Sequence, residues 1–128
     1  MMKLVFLLNR RPDISPQQFM DYYENKHSKI GEMLFGGKAV RYVRRYLKRA
    51  PGPLSGPESE PIHDAIMELW FPDEESCLAA LAYAGTPEIA QLVAEDEEHL
   101  FDRASIRGYV VEECESTLPA AAVPASAG

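Results

Sequence analysis

Cysteine is scarce in this chain: only Cys77 and Cys114 occur among 128 residues, far apart and with no CxxC or Cys/His pattern. That excludes a disulfide framework and a zinc site of ordinary spacing. Positive charge is also short, with 13 Lys and Arg against 20 Asp and Glu and a formal charge of −7. An acidic chain is repelled at long range by nucleic acid and by anionic membrane surfaces, so neither is expected as a partner. Long apolar runs are missing as well. The opening MMKLVFLLNRRPD is too short to span a membrane and lacks the small-residue cleavage site of a signal peptide, so a cytoplasmic protein is expected. A Gly-rich phosphate loop, a GxSxG elbow, a Cys/His nucleophile pair and a His/carboxylate metal cluster are all lacking. Phosphoryl transfer, serine hydrolysis and zinc catalysis are therefore disfavoured.

What remains is the composition of an ordinary folded domain, 46% hydrophobic and 26% charged. A chain of this length makes one domain with a real core and needs no staples. Residues 1–114 read as that domain, and 115–128 as a low-complexity Ala/Pro/Ser tail.

Met2 to Asn9 is a short run apolar at odd and even positions alike, stopped by Arg10, Arg11 and Pro12, which fits a strand covered on both faces. Ser15-Pro16-Gln17-Gln18 is a helix start, with Ser as cap, Pro at the first helical position and Gln at the third. The spacing of Phe19, Tyr23, His27, Ile30 and Leu34 places them on one stripe of a helix that Gly36-Gly37 ends. Lys38 to Ala50 reads as a second strand. Its basic cluster Arg41, Arg44, Arg45, Lys48 and Arg49 is divided between two faces, as a solvated edge or a holder of an anionic ligand.

The Pro/Gly/Ser-rich stretch 51–62 is a surface loop that could close over a site as a lid. His63 to Phe71 is a third strand, with His63, Ala65, Met67, Leu69 and Phe71 on one face and Asp64, Ile66, Glu68 and Trp70 on the other. Asp73 caps a second helical region whose inner stripe is predicted as Leu78, Leu81 and Ala82; a further helix runs from Pro87 to Leu100, and Ser105 to Glu113 is a fourth strand.

The order β-α-β-β-α-β predicts an α+β fold of the ferredoxin-like kind, a four-stranded antiparallel sheet with helices on one face. Helices cover one face only, yet the first and third strands are apolar on both. A second copy of the chain is the simplest cover for the other face, which predicts a homodimer built sheet to sheet.

Three segments carry a resemblance. KLVFLLNRRPDISPQQFMDYYENKHSKIGEML resembles the opening of EthD-domain proteins: a strand, Arg-Arg-Pro, a Ser-led helix, Phe, a Tyr pair and a His four residues later. HDAIMELWFPDEES resembles the family's Asp-x-x-x-Glu-x-x-Phe strand, and EDEEHLFDRASIRGYVVEE its closing acidic helix and final strand. The resemblance covers residues 2–113. It implies the dimeric α/β-barrel superfamily and a pocket between sheet and helices for a small aromatic or lactone substrate. Relatives include cofactor-free isomerases of muconolactone type, dehydratases and cyclases, but also accessory proteins without assigned chemistry.

His27 is the leading candidate catalytic residue, because it shares the inward stripe with Phe19 and Tyr23 and imidazole exchanges protons near neutral pH. Tyr23, Tyr46 and Tyr109 could hydrogen-bond a carbonyl or enolate, or simply pack. Asp64 could orient a base, or pair with an arginine. Asp64 and Glu68 stand roughly 13 Å apart along a strand, too far to share one substrate atom. Phe19, Tyr46, His63, Trp70 and His99 are candidate substrate contacts, although His99 near a helix C-terminus among acids is also explained by the helix dipole. The reading is a cofactor-free lyase or isomerase without metal; the alternative is a non-catalytic ligand-binding or accessory protein.

Overall fold

The computed structural model describes residues 1–56 and 62–122. Along the chain run β1 (Met2–Leu8), α1 (Pro16–Tyr22), a π-helical turn (Tyr23–His27), α2 (Ser28–Phe35), β2 (Arg41–Tyr46), a 3-10 turn (Gly52–Ser55), β3 (Ala65–Phe71), α3 (Glu74–Ala84), α4 (Pro87–Glu97), a second 3-10 turn (Arg103–Ser105) and β4 (Arg107–Val110). The strands form one antiparallel sheet in the order β2-β3-β1-β4. This is the ferredoxin-like α+β arrangement.

Local chemistry sets the helix starts. Ser15 Oγ accepts from the Gln18 backbone N–H at 3.1 Å, and the Gln18 side chain accepts from the Ser15 N–H at 2.8 Å, closing a capping box behind Pro16. Asp73 caps α3 by accepting from the Ser76 N–H at 2.7 Å. At the other end of the first helical run, Gly37 takes a positive φ of 79°, open to glycine without strain.

The strands are shorter than their sequence runs suggest. Lys38 and Ala39 donate to Phe35 O at 3.0 and 2.9 Å, so the turn that closes α2 takes the first residues of the expected second strand. The 3-10 turn Arg103–Ser105 does the same before β4. The inner stripe of α3 also differs from expectation: Cys77 and Ala80 are buried, whereas Leu78 and Leu81 are about half exposed. Small side chains let that helix lie close against the sheet and leave the leucines at its flank. Of the expected lid, residues 52–55 form the 3-10 turn, and 57–61 lie outside the described residues.

Under the helices the core falls into two clusters. Leu8, Phe19, Tyr23, Ala65, Leu100 and Phe101 form one, and Leu4, Leu69, Phe71, Cys77 and Ala80 the other. Phe6 and Met67 pack against both. In the first cluster Phe19 meets Tyr23, Tyr46 and Phe101 edge to face at 6.0, 6.1 and 5.9 Å, the favoured geometry for aromatic rings.

Opposite the helices, Val5, Leu7, Val43, Ile66 and Trp70 are half-buried on a face that no other described element covers. Charged side chains interleave with them. Lys3 Nζ lies 3.7 Å over the Trp70 ring, Arg41 lies 4.4 Å from its centroid, and Arg45 meets Glu68 at 3.2 Å. Among the described residues no single helix is long and apolar enough to cross a membrane.

Candidate functional site

Between the two core clusters, the sheet and the helices enclose a cavity of about 310 Å³. Phe6, Leu8, Met67 and Leu69 form its floor, α2 contributes Ile30, Gly31 and Leu34, and α4 contributes Ala90, Val93 and Glu97. Its polar groups gather where the π-helical turn and α2 meet β2 and α4: His27, Glu97 and the phenols of Tyr23 and Tyr42.

The π-helical turn places His27. In an α-helix, residues four apart drift by roughly 40° per step, so Phe19, Tyr23 and His27 would fan around the axis. The wider turn, in which the Ser28 N–H reaches back five residues to Tyr23 O, removes part of that drift. Buried Ser28 donates its hydroxyl to Glu24 O at 2.8 Å, occupying a carbonyl within the irregular turn.

His27 Nδ1 stands 2.8 Å from Asp96 Oδ2, and the Tyr22 hydroxyl donates to Asp96 Oδ1 at 2.5 Å. Asp96 is buried, 8% exposed. An ionised carboxylate only accepts, so this contact fixes a proton on Nδ1 and leaves the Nε2 lone pair unengaged by Asp96. The imidazole is further held edge-on by Tyr23 and Phe101, each at 5.3 Å. Burial, with the Asp96 carboxylate behind it, pushes the Tyr22 phenol up to about 12. Burial likewise raises Tyr23 and Tyr42, which hydrogen-bond each other, so both stay protonated at neutral pH. The Tyr42 ring fits because residue 31 is glycine. A Cβ there would stand 2.5 Å from the Tyr42 hydroxyl and 2.6 Å from two ring carbons.

Of the candidates named from sequence, the structure brings His27 and Tyr23 together at the cavity. Phe19 and Tyr46 pack beside them in the aromatic cluster and face a separate groove of about 230 Å³. Asp64 lines that second groove, its carboxylate taken by Arg10 through Nε at 3.2 Å and the backbone N–H at 2.9 Å. The arginine beside it accounts for Asp64, which does not reach His27. His63 meets the Asn9 amide at 3.0 Å, away from the cavity lining. Trp70 lies on the helix-free face under Lys3 and Arg41, and Tyr109 is on the same face opposite Val5. His99 is exposed, its ring 6.0 Å from Tyr22. The basic cluster is not simply a solvated edge, since Arg44 is half-buried and holds Glu24 with two hydrogen bonds of 3.0 and 2.7 Å.

Asp96, Glu97, Tyr22 and Tyr42 were not singled out by their sequence context. One signal was available for Glu97: it follows Ala90 and Val93 at seven and four residues, on the inward phase of α4. Asp96 carries no such mark within a run of five polar residues.

Fold and cavity together define a ferredoxin-like α+β domain with an apolar, histidine-bearing cavity under its helices. A family model described as the EthD domain matches residues 11–104, and the chain belongs to that family. Solved structures resemble it at low identity. An EthD family protein from Bacillus halodurans is 18% identical with a TM-score of 0.61, over 89% of this chain and 100% of that one. A protein from Bacteroides fragilis, described as dimeric with a ferredoxin-like fold, is 12% identical with a TM-score of 0.54, over 88% and 95%. An antibiotic biosynthesis monooxygenase is 13% identical with a TM-score of 0.53, over 90% and 100%. At such identities the likeness concerns the fold alone. No curated protein matches the chain.

Proposed function

We propose that the protein is a cofactor-free lyase or isomerase that acts on a small aromatic or lactone substrate by proton transfer through His27. One observation carries this reading: an imidazole lining an apolar cavity is held through Nδ1 by a buried carboxylate. Neutral His27 uses Nε2 as the base toward a C–H beside a carbonyl, and Asp96 stabilises the imidazolium that forms. Tyr23 and Tyr42 share one hydrogen bond, which uses one of their two phenol protons, so the pair offers one O–H donor to the developing enolate. Asp64 is tied to Arg10 and lines a different groove, so the proposed step makes no use of it. A homodimer is the proposed scaffold. The half-buried apolar groups on the helix-free face support it, as does the dimeric description of the Bacteroides fragilis protein.

The test needs no knowledge of the natural substrate. A panel of aromatic ketones and lactones in D2O is followed by NMR for deuterium entering the carbon next to the carbonyl. Wild type is expected to accelerate the exchange for at least one compound, and a folded His27→Ala protein to lose about 10²–10⁴ of the acceleration. Undiminished exchange by that variant sinks the reading. The same sample is sized by light scattering, where a stable monomer removes the dimer from it. The almost wholly apolar lining favours a second reading, a non-catalytic binding or accessory protein. Tight binding of panel members without exchange would select it.

A further inference from the structure

Among the described residues Glu97 is the one carboxylate lining the cavity, and the proton-abstraction scheme leaves it idle. Successive residues of α4 face different ways: Asp96 turns to Tyr22 and His27, while Glu97 stands over the cavity on the stripe of Ala90 and Val93. A carboxylate on such a stripe ordinarily has donors around it. Among the described residues the one ion pair of Glu97 is with Arg103, whose Nε lies 3.8 Å from Oε1, beyond hydrogen-bond distance. No side-chain hydrogen bond to it occurs among the described residues, although only 19% of the side chain is exposed.

The groups that face Glu97 are His27 from the π-helical turn, Arg103 from the second 3-10 turn and Asp96 on its own helix. Burial outweighs the attraction of His27 and Arg103 and holds the carboxyl above its ordinary value. Two titratable groups line one cavity, an imidazole oriented through Nδ1 by Asp96 and a carboxyl that apolar walls favour in its neutral form, which is the arrangement of a base and an acid.

We propose that Glu97 is the second proton-transfer residue of the cavity, giving its proton to the carbonyl oxygen of an uncharged, ring-bearing ligand while His27 takes a proton from the adjacent carbon. The inference rests on the reading of His27 as base. The step balances without an oxidant or reductant. The C–H bond breaks to His27 Nε2, its electron pair forms the C=C bond, and the carbonyl π pair takes the Glu97 proton as an O–H bond. A neutral enol, an imidazolium and a carboxylate result, and return of the imidazolium proton to Glu97 through solvent resets the pair. The ligand class follows from the same arrangement. A neutral ketone or lactone accepts from protonated Glu97, whereas a carboxylate ligand would face the charge of Glu97 once that group ionises.

The probe is 2-acetonaphthone, with 2-naphthoate as its anionic counterpart, titrated into the full-length protein between pH 4.5 and 8.5. Wild-type affinity for the ketone is expected to fall as pH rises through the ionisation of Glu97. Glu97→Leu, which cannot donate, binds about tenfold more weakly at the acid end and matches wild type at the alkaline end. Glu97→Gln, whose amide still donates, binds like acid wild type at every pH and narrows the preference for ketone over naphthoate. The glutamine variant decides the matter alone if the leucine variant does not fold.

Ketone binding whose pH dependence survives unchanged in Glu97→Gln overturns the proposal, as does a ketone that wild type does not bind. The deuterium assay separates the two ideas. Normal loss of exchange in His27→Ala with an inert Glu97 removes this inference alone. Full exchange in His27→Ala removes the reading beneath it and this inference with it.

Discussion

Glu24, on the π-helical turn, and Glu97, at the end of α4, are both carboxylates drawn in beside the helical layer, and their surroundings move them in opposite directions. Glu24 accepts from Arg44 Nε at 3.0 Å and Nη2 at 2.7 Å, and from the Tyr46 hydroxyl at 2.5 Å. Those donors, Arg44 foremost, hold its carboxyl below the ordinary range, and in return Glu24 raises the Arg44 guanidinium. Among the described residues Glu97 has no such donors, and burial raises it. The difference shows what decides whether a partly buried acid is a strut or a reagent: the number of donors already satisfied when no ligand is present.

The largest effect that would break this contrast is on stability. Arg44→Leu leaves Glu24 with Tyr46 alone and should lower the unfolding free energy by about 2 kcal/mol, moderated because the Glu24 side chain is 39% exposed. Glu97→Leu should leave stability unchanged or slightly higher. Urea midpoints of the two variants check the order, and a more damaging Glu97→Leu would reverse the assignment of strut and reagent. A middle effect comes from Gly31→Ala, which sits between the two regions. The new methyl drives the Tyr42 ring away, and the overpacking outweighs the helix propensity gained, for a net loss of about 1 kcal/mol. Binding of 2-acetonaphthone should weaken with it, and an unaltered binding isotherm would show that Tyr42 does not shape the cavity.

The smallest effect is on pH dependence. Glu24, lowered in the fold, contributes stability present above the unfolded value near 4.5 and lost as pH falls through its folded value. Glu97, raised in the fold, contributes stability present below 4.5 and lost as pH rises through its folded value. Thermal melts across pH should therefore flatten on the acid side in Glu24→Gln and on the less acidic side in Glu97→Gln. An identical profile in both variants would erase the distinction.

Much of the scaffold was readable from residues. Breakers and alternation marked four strands, and Ser15 and Asp73 marked two helix starts with the hydrogen bonds found there. The stripe through Phe19, Tyr23 and His27 was legible because their four-residue spacing survives a change in helix type. What failed to show were properties that depend on distance between elements. Leu78 and Leu81 outweigh Cys77 and Ala80 in hydropathy, yet the smaller pair is fully buried against Leu69 and Phe71, while Leu81 stays about half exposed at the cavity wall. Asp64 looked like a companion for a base until Arg10, 54 residues earlier, occupied it. Asp96 became visible only when α4 was laid beside α1 and the π-helical turn, since its partners Tyr22 and His27 stand 74 and 69 residues away.

The π-helical turn carries one further consequence, for lineage and for engineering. A helix behaves as a screw, and each residue added or removed rotates everything on one side of the change by about 100° relative to the other. Tyr23–His27 is thus the phase coupling between α1, whose Phe19 fills one core cluster, and α2, whose Leu34 lines the cavity. Point substitutions along this run adjust one contact at a time. A one-residue deletion would turn Phe19 toward water while leaving every residue type in the chain acceptable, so variation in length here is far more constrained than variation in letter.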